Sequence, residues 1–259
     1  MLNGIKQVIK SLTPQTLRPR AVAERMWRRL ETNSIVVSGP FAGLNYPWQS
    51  VGSVHLPKLM GVYELELAPI LHRFRDGDFA TVIVVGAAEG YYALGCARLW
   101  PSTRVIAYET DPQGRKLIMD YATRNRVVSR IDCRGNCSAS EFASVLQQVK
   151  KGFVIMDIEG GEDVLLNCNN VPAVAHFHVL VELHTEQVKN LAESLRQRFE
   201  ATHTIEEIWT RRRDFRSFSY PENPLLRLYL LEQLRDAADE LRDIPMRWFM
   251  MTPRENVGA

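Results

Sequence analysis

The sequence predicts an α/β fold: a doubly wound, mostly parallel sheet of seven strands, preceded by an N-terminal helical and loop extension. Three observations predict it. After residue 80, short β-rich runs alternate with amphipathic helical segments, an order that builds a parallel sheet through right-handed crossovers. The runs TVIVV (81–85), GFVIMD (152–157) and FHVLVEL (177–183) are almost unbroken in apolar residues, as strands covered by helices on both faces must be. Two further strand-like runs, THTIEEIW (202–209) and MRWFMMT (246–252), close the chain with a helical stretch near 225–242 between them.

Taken in order, residues 1–75 form an N-terminal helical and lid segment and residues 76–259 the sheet domain. The first 30 residues are basic: Lys6, Lys10, Arg18, Arg20, Arg25, Arg28 and Arg29 are matched only by the acid Glu24. From residue 21 the pattern is amphipathic, with Val22, Ala23, Met26, Trp27 and Leu30 on one helical face. Such a helix can contact an anionic membrane surface or a partner, a second copy of the chain included, or pack on the body with its charges in water. PFAGLNYPWQSVGSVHLPKLMG (40–61) is rich in Gly, Pro and aromatics and reads as loop. A helix follows from Tyr63 to Arg75, and DGD (76–78) ends it. The loop and this helix, with Tyr46, Trp48, His55, Tyr63 and Glu64, are candidates for a lid over a ligand or for a plain N-terminal cover. Beyond the strands already named, RVIAYE (104–109) and RIDC (130–133) read as strands, and 91–100, 112–125, 138–150, 161–167 and 186–199 as helices.

Composition narrows the function classes. A net charge of +2 over 259 residues argues against a nucleic-acid partner bound chiefly through phosphates. Cys96, Cys133, Cys137 and Cys168 form no C-x-x-C pair, which fits a reduced, cytoplasmic chain better than a disulfide or zinc framework. No apolar stretch approaches the roughly 20 residues of a membrane helix. The N-terminus also lacks the unbroken apolar core of a signal peptide.

Chemistry concentrates at the strand ends. In a doubly wound sheet, ligands lie outside the carboxyl ends of the strands, where the strand order reverses. The first strand runs into Gly86-Ala87-Ala88-Glu89-Gly90, and the next helix opens at Tyr91. Glycine lets the backbone approach a ligand closely, and the helix start points N–H groups toward the crevice. The second strand ends in Glu109, an acceptor suited to a pair of ribose hydroxyls. The plainer alternative is a tight strand-to-helix turn with Glu109 as a solvated cap. G-A-A-E-G is not the G-x-G-x-x-G dinucleotide fingerprint, which counts against a nicotinamide-dependent oxidoreductase.

The fourth and fifth strands run into DIEGGE (157–162) and ELH (182–184). Alternate residues of an extended chain share a face, so Asp157 pairs with Glu159, and Glu182 with His184. Clustered buried carboxylates are costly unless they pair, share a proton or bind a cation. His184 is a candidate general base. Asp157, Glu159, Glu182 and His184 are alternatively candidate ligands of a divalent metal. Helix capping by Asp157 and Glu162, with Glu182 and His184 in a partly exposed loop, is the simpler structural alternative.

VVGAAEGYYALG, VIAYETDP, MDIEGGEDVLL and VELH, in that order over about 81–185, resemble the S-adenosylmethionine-dependent methyltransferases with a Rossmann-like seven-strand sheet, and more narrowly the FkbM-type family. Weaker similarity extends to PKLMGVYELEL upstream and to THTI and RWFMMTPR downstream. The resemblance implies S-adenosylmethionine as cofactor, with its methionine moiety along Gly86, Ala87, Ala88, Glu89 and Gly90 and the helix start at Tyr91. It places the ribose on Glu109, the adenine near Thr110, Asp111, Asn136 and Cys137, and Asp157 beside the transferable methyl. Asp157, Glu182 and His184 are the catalytic candidates, and the implied acceptor is a hydroxyl on a small molecule such as a sugar or secondary metabolite. Methylation of a protein or RNA, and cofactor binding without turnover, are the alternatives. The family's first motif commonly carries an acid two residues before its first glycine; Val84 occupies that position here, and Glu89 is the acid available nearby.

Overall fold

Each apolar run becomes a strand, and the strands join in one seven-stranded sheet. The computed structural model describes residues 25, 34–47, 49, 51, 54–149, 151–167, 171–211 and 246–254. The expected helices at 21–30 (Arg25 apart) and near 225–242, and the lid candidate Trp48, lie outside those residues. The strands are β1 (Thr81–Val85), β2 (Arg104–Tyr108), β3 (Ile131–Arg134), β4 (Gly152–Met156), β5 (His178–Glu182), β6 (His203–Trp209) and β7 (Arg247–Pro253). Their order is β3-β2-β1-β4-β5-β7-β6. The first five are parallel, β7 runs antiparallel to β5, and β6 runs antiparallel to β7. The order therefore reverses between β1 and β4, the switch point at which doubly wound sheets hold ligands.

Register positions the site. Val85 pairs with Tyr108 and with Met156, and Met156 pairs with Val181. One residue further along each strand, Gly86, Glu109, Asp157 and Glu182 emerge at one level and from one edge of the sheet. The backbone holds them there: Gly86 N–H donates to the Tyr108 carbonyl at 3.0 Å, and Asp157 N–H to the Val85 carbonyl at 3.0 Å.

The period of two along each strand sorts the core into two layers. Val82, Val84, Val105, Ala107, Phe153 and Ile155 pack on one face, and Ile83, Val85, Ile106, Tyr108, Val154 and Met156 on the other. The first face is covered by α3 (Tyr91–Leu99) and α4 (Pro112–Arg124), together with the N-terminal α1 (His55–Met60) and α2 (Ala68–Arg73, entered through a 3-10 turn at Leu65–Leu67). The second is covered by α5 (Ala139–Gln148), α6 (Glu162–Leu165) and α7 (Leu191–Phe199).

Three segments depart from the sequence expectation; in one, the helix expected from Tyr63 starts only at Ala68, after Glu64 in the left-handed conformation (φ 46°) and the 3-10 turn. Within the stretch 40–61 expected to be loop, His55–Met60 is a helix with all six residues buried. Its apolar side chains Leu56, Leu59 and Met60 join the same core layer as α3 and α4, and tertiary burial outweighs weak local propensity. The helix expected from 186 begins instead at Leu191, after Asn190 in the left-handed conformation (φ 60°).

Candidate functional site

The strand ends open into a cavity of about 1010 Å³. From β1 it is lined by Gly86, Ala87 and Ala88, and from the following helix by Tyr91. Glu109 and Thr110 line it after β2, and Asn136 and Cys137 after β3. Asp157 and Glu159 contribute from the end of β4, and Glu182 and His184 from the end of β5. Glu89, Gly90 and Asp111, assigned to the cofactor from the sequence, are not among the lining residues. Asp111 instead caps α4, its carboxylate accepting from Gln113 N–H at 2.9 Å.

The glycine turn is built by close approach. Gly86 has φ 82°, and a Cβ added there would stand 1.8 Å from the Asp157 carbonyl oxygen. Only a residue without a side chain lets the ends of β1 and β4 meet this way. Gly114 does the same for α4: a Cβ would lie 2.8 Å from both the Ala88 carbonyl oxygen and Glu109 Cγ. Glu109 ties the two turns together, one carboxylate oxygen accepting from Ala88 N–H at 2.6 Å and the other from Asp111 N–H at 2.7 Å. A carboxylate has about four acceptor sites, so these two bonds leave it capacity to accept from a ligand.

Glu89 lies behind the turn and is fully buried. Its carboxylate accepts from Lys58 Nζ at 2.7 Å, from the Tyr46 hydroxyl at 2.5 Å and from Val51 N–H at 3.1 Å. Burial by itself would raise its pKa, but the Lys58 ammonium and these hydrogen bonds outweigh that and hold it down at about 2. The same contacts raise the Tyr46 hydroxyl well above its ordinary value, with burial the largest cause. Tyr46 stacks on His55 with ring centroids 5.2 Å apart. Both, named as lid candidates from the sequence, are buried, and neither lines the cavity. Tyr63, by contrast, does line it.

At the other strand ends, His184 is held by Glu162. Nδ1 lies 2.7 Å from Glu162 Oε1, and Nε2 lies 3.4 Å from Asp157 Oδ1 and 3.9 Å from Glu159 Oε2. Burial alone would lower the imidazole's pKa, but the Glu162 hydrogen bond and then the charge of Asp157 outweigh it, and the net shift is upward. Glu162 moves the other way: its hydrogen bond with His184 overcomes the effect of burial, and the carboxyl is lowered. Asp157 is raised to about 6, first by burial and then by the nearby charge of Glu64, against the opposing influence of His184 and of a hydrogen bond with Glu182. Asp157, Glu182 and His184 each offer a ligand atom, all within 4.8 Å of one another. This set of oxygen and imidazole donors suits a hard divalent cation.

Two residues of this arrangement escaped the sequence. Lys58 is a lone cation in the apolar run HLPKLM and is buried at the cavity wall. Its isolation among apolar neighbours was the available signal. Glu162 was weighed as a helix cap, yet the N-cap of α6 is Gly161, and the Glu162 carboxylate turns inward to His184. Nothing in its spacing marks that partner, because His184 reaches it only through the pairing of β4 with β5.

No family model matches the sequence, and no curated protein matches it. Solved structures do. A precorrin-6y C5,15-methyltransferase from Geobacter metallireducens aligns with TM-score 0.46 at 14% identity, over 71% of this chain and 86% of that one. The O-methyltransferase TomG from Streptomyces achromogenes, involved in tomaymycin synthesis and solved with SAM, aligns with TM-score 0.44 at 13% identity over 96% of each chain. An O-methyltransferase from Bacillus cereus in complex with SAH aligns with TM-score 0.44 at 11% identity, over 96% of this chain and 97% of that one. The chemistry rests on the site itself.

Proposed function

We propose that the crevice binds S-adenosylmethionine and that the protein is a methyltransferase acting on a hydroxyl of a small molecule, of the FkbM type that the strand-end motifs resemble. The carrying observation is the register that brings Gly86, Glu109, Asp157 and Glu182 to one level at the switch point, around one cavity. The residues present fit a nucleoside with a charged tail. The turn at Gly86 admits no Cβ, Glu109 offers acceptor sites for ribose hydroxyls, and Thr110, Asn136 and Cys137 line the wall beyond it. About 1010 Å³ stands at the upper end of the ~300–1,000 Å³ range of small-molecule sites, which leaves room for an acceptor beside the cofactor.

When bound, the cofactor supplies a methyl group already activated on a sulfonium. The chain's own residues then have three tasks. Gly86, Ala87, Ala88 and Glu109 bind and orient. Asp157 and Glu182 set negative potential beside the reacting centre. His184 accepts the acceptor hydroxyl's proton at Nε2 while Glu162 holds Nδ1. A sugar or secondary-metabolite hydroxyl needs this deprotonation, whereas an amine needs less. A divalent cation held by Asp157, Glu182 and His184 is the second reading, favoured by their 4.8 Å clustering; it would lower the hydroxyl's pKa directly.

Calorimetry with S-adenosylmethionine, S-adenosylhomocysteine and NAD tests the first claim. The first two are expected to bind and NAD is not; binding of NAD alone overturns the proposal. Methyl transfer from labelled cofactor to a panel of hydroxylated acceptors, with and without EDTA, then separates the two readings of His184. Loss of turnover on chelation, restored by Mg²⁺, selects the cation.

A further inference from the structure

Among the described residues lining the crevice, Lys58 is the one lysine or arginine, and the chemistry above gives it no task. It is 3% exposed and comes from α1. Glu89, on the glycine turn itself, fixes its ammonium at 2.7 Å, and Lys58 lines the same cavity as Gly86, Ala87 and Ala88. The Tyr63 ring lies 4.8 Å from Nζ and the Tyr91 ring 5.6 Å from it, and both tyrosines line the same wall. Glu89 also accepts from Tyr46 and Val51. Its negative charge is thus shared with other donors, and one lysine can be bridged by two carboxylates. The acids lining the cavity are Glu109, Asp157, Glu159 and Glu182. A single cation at the turn and carboxylates elsewhere complement a ligand that carries one carboxylate and more than one positive group.

We propose that Lys58 receives the carboxylate at the amino-acid end of a nucleoside ligand, and so fixes the end of the crevice at which that moiety lies. This rests on the cofactor reading above and deepens it. A lysine bridging the turn and the ligand also ties binding to the seating of α1, because Glu89 holds the same ammonium.

The test is a three-ligand calorimetric series: S-adenosylhomocysteine, its decarboxylated analogue S-adenosyl-3-thiopropylamine, and 5′-methylthioadenosine, which lacks the amino-acid end. The wild-type protein is expected to prefer S-adenosylhomocysteine to the decarboxylated analogue by about tenfold or more, as for a charge-assisted hydrogen bond. In Lys58→Met/Glu89→Gln, which removes both charges so that neither is left buried alone, the preference is expected to fall within about a factor of two, with methylthioadenosine binding retained. Glu89→Gln alone keeps the ammonium, removes its competing carboxylate, and is expected to widen the preference. An unchanged preference in the double variant, an unchanged or narrowed one in Glu89→Gln, or none in the wild type overturns the assignment. Failure of all three nucleosides to bind the wild type instead removes the cofactor reading on which it stands.

Discussion

Two buried glutamates, Glu89 behind the glycine turn and Glu162 behind the ends of β4 and β5, do opposite work with the same group. Both are fully buried, and each faces one basic side chain, Lys58 or His184. Glu89 has both oxygens occupied, by an ammonium, a phenol and a backbone amide. Glu162 spends one oxygen on His184 and on Ile158 N–H, while the other is buried with no hydrogen-bond partner among the described residues. The first pair clamps α1 on the turn. An imidazole exchanges its proton near neutrality, so the second pair orients a group able to react.

The comparison breaks most sharply at His184. His184→Ala is expected to lower kcat by about 10²–10⁴-fold, the usual range for a general base, with cofactor affinity by calorimetry unchanged. Unaltered turnover would assign His184 to structure alone. Next is Glu89→Gln, which leaves Lys58 buried without its counter-charge. A loss of about 3–5 kcal/mol in denaturant-derived stability is expected at neutral pH, and Lys58→Met/Glu89→Gln should recover much of it.

Acid sharpens the same contrast. The carboxyl of Glu89 is depressed in the fold, from 4.5 to about 2. Its contribution is therefore complete above about 4.5 and is lost as pH falls toward 2, about 3 kcal/mol in all. Unfolding midpoints measured from pH 6 to pH 2 should show this acid limb in the wild type and a flatter one in Glu89→Gln. Glu109→Ala, at the next turn, is expected to weaken S-adenosylhomocysteine binding by roughly 1.5–3 kcal/mol. The smallest effect is set by a surface pair: Arg73 reaches Glu206 at 2.7 Å, but both side chains are about half exposed. Arg73→Ala should change stability by less than about 1 kcal/mol, and a larger loss would mean that α2 is anchored to β6 more firmly than this geometry implies.

Much of the sheet was legible locally. Strands β1, β4 and β5 begin and end within one residue of their apolar runs, because burial on both faces writes itself into consecutive residues. The terminal pair β6 and β7 was equally plain. Helix α1 was not: HLPKLM sits in a stretch of Gly, Pro and aromatics, and its helical state comes from contacts with α3 and α4. The glycine turn, Glu109, Asp157, Glu182 and His184 stood out because each follows an apolar strand directly. Glu89 stood out too, by its place in the turn, but its contact with Lys58 did not.

The sequence by itself determined which strands are interior, where they end, and that acids and glycines gather at those ends, since these follow from periodicity and from the residue after each run. Tertiary structure alone decided the pairings: Glu89 with Lys58, Glu162 with His184, and the convergence of Gly86, Glu109, Asp157 and Glu182 on one cavity. The physical reason is that such contacts depend on strand order and register. These are set by how whole layers pack, and a local window of residues carries no record of them.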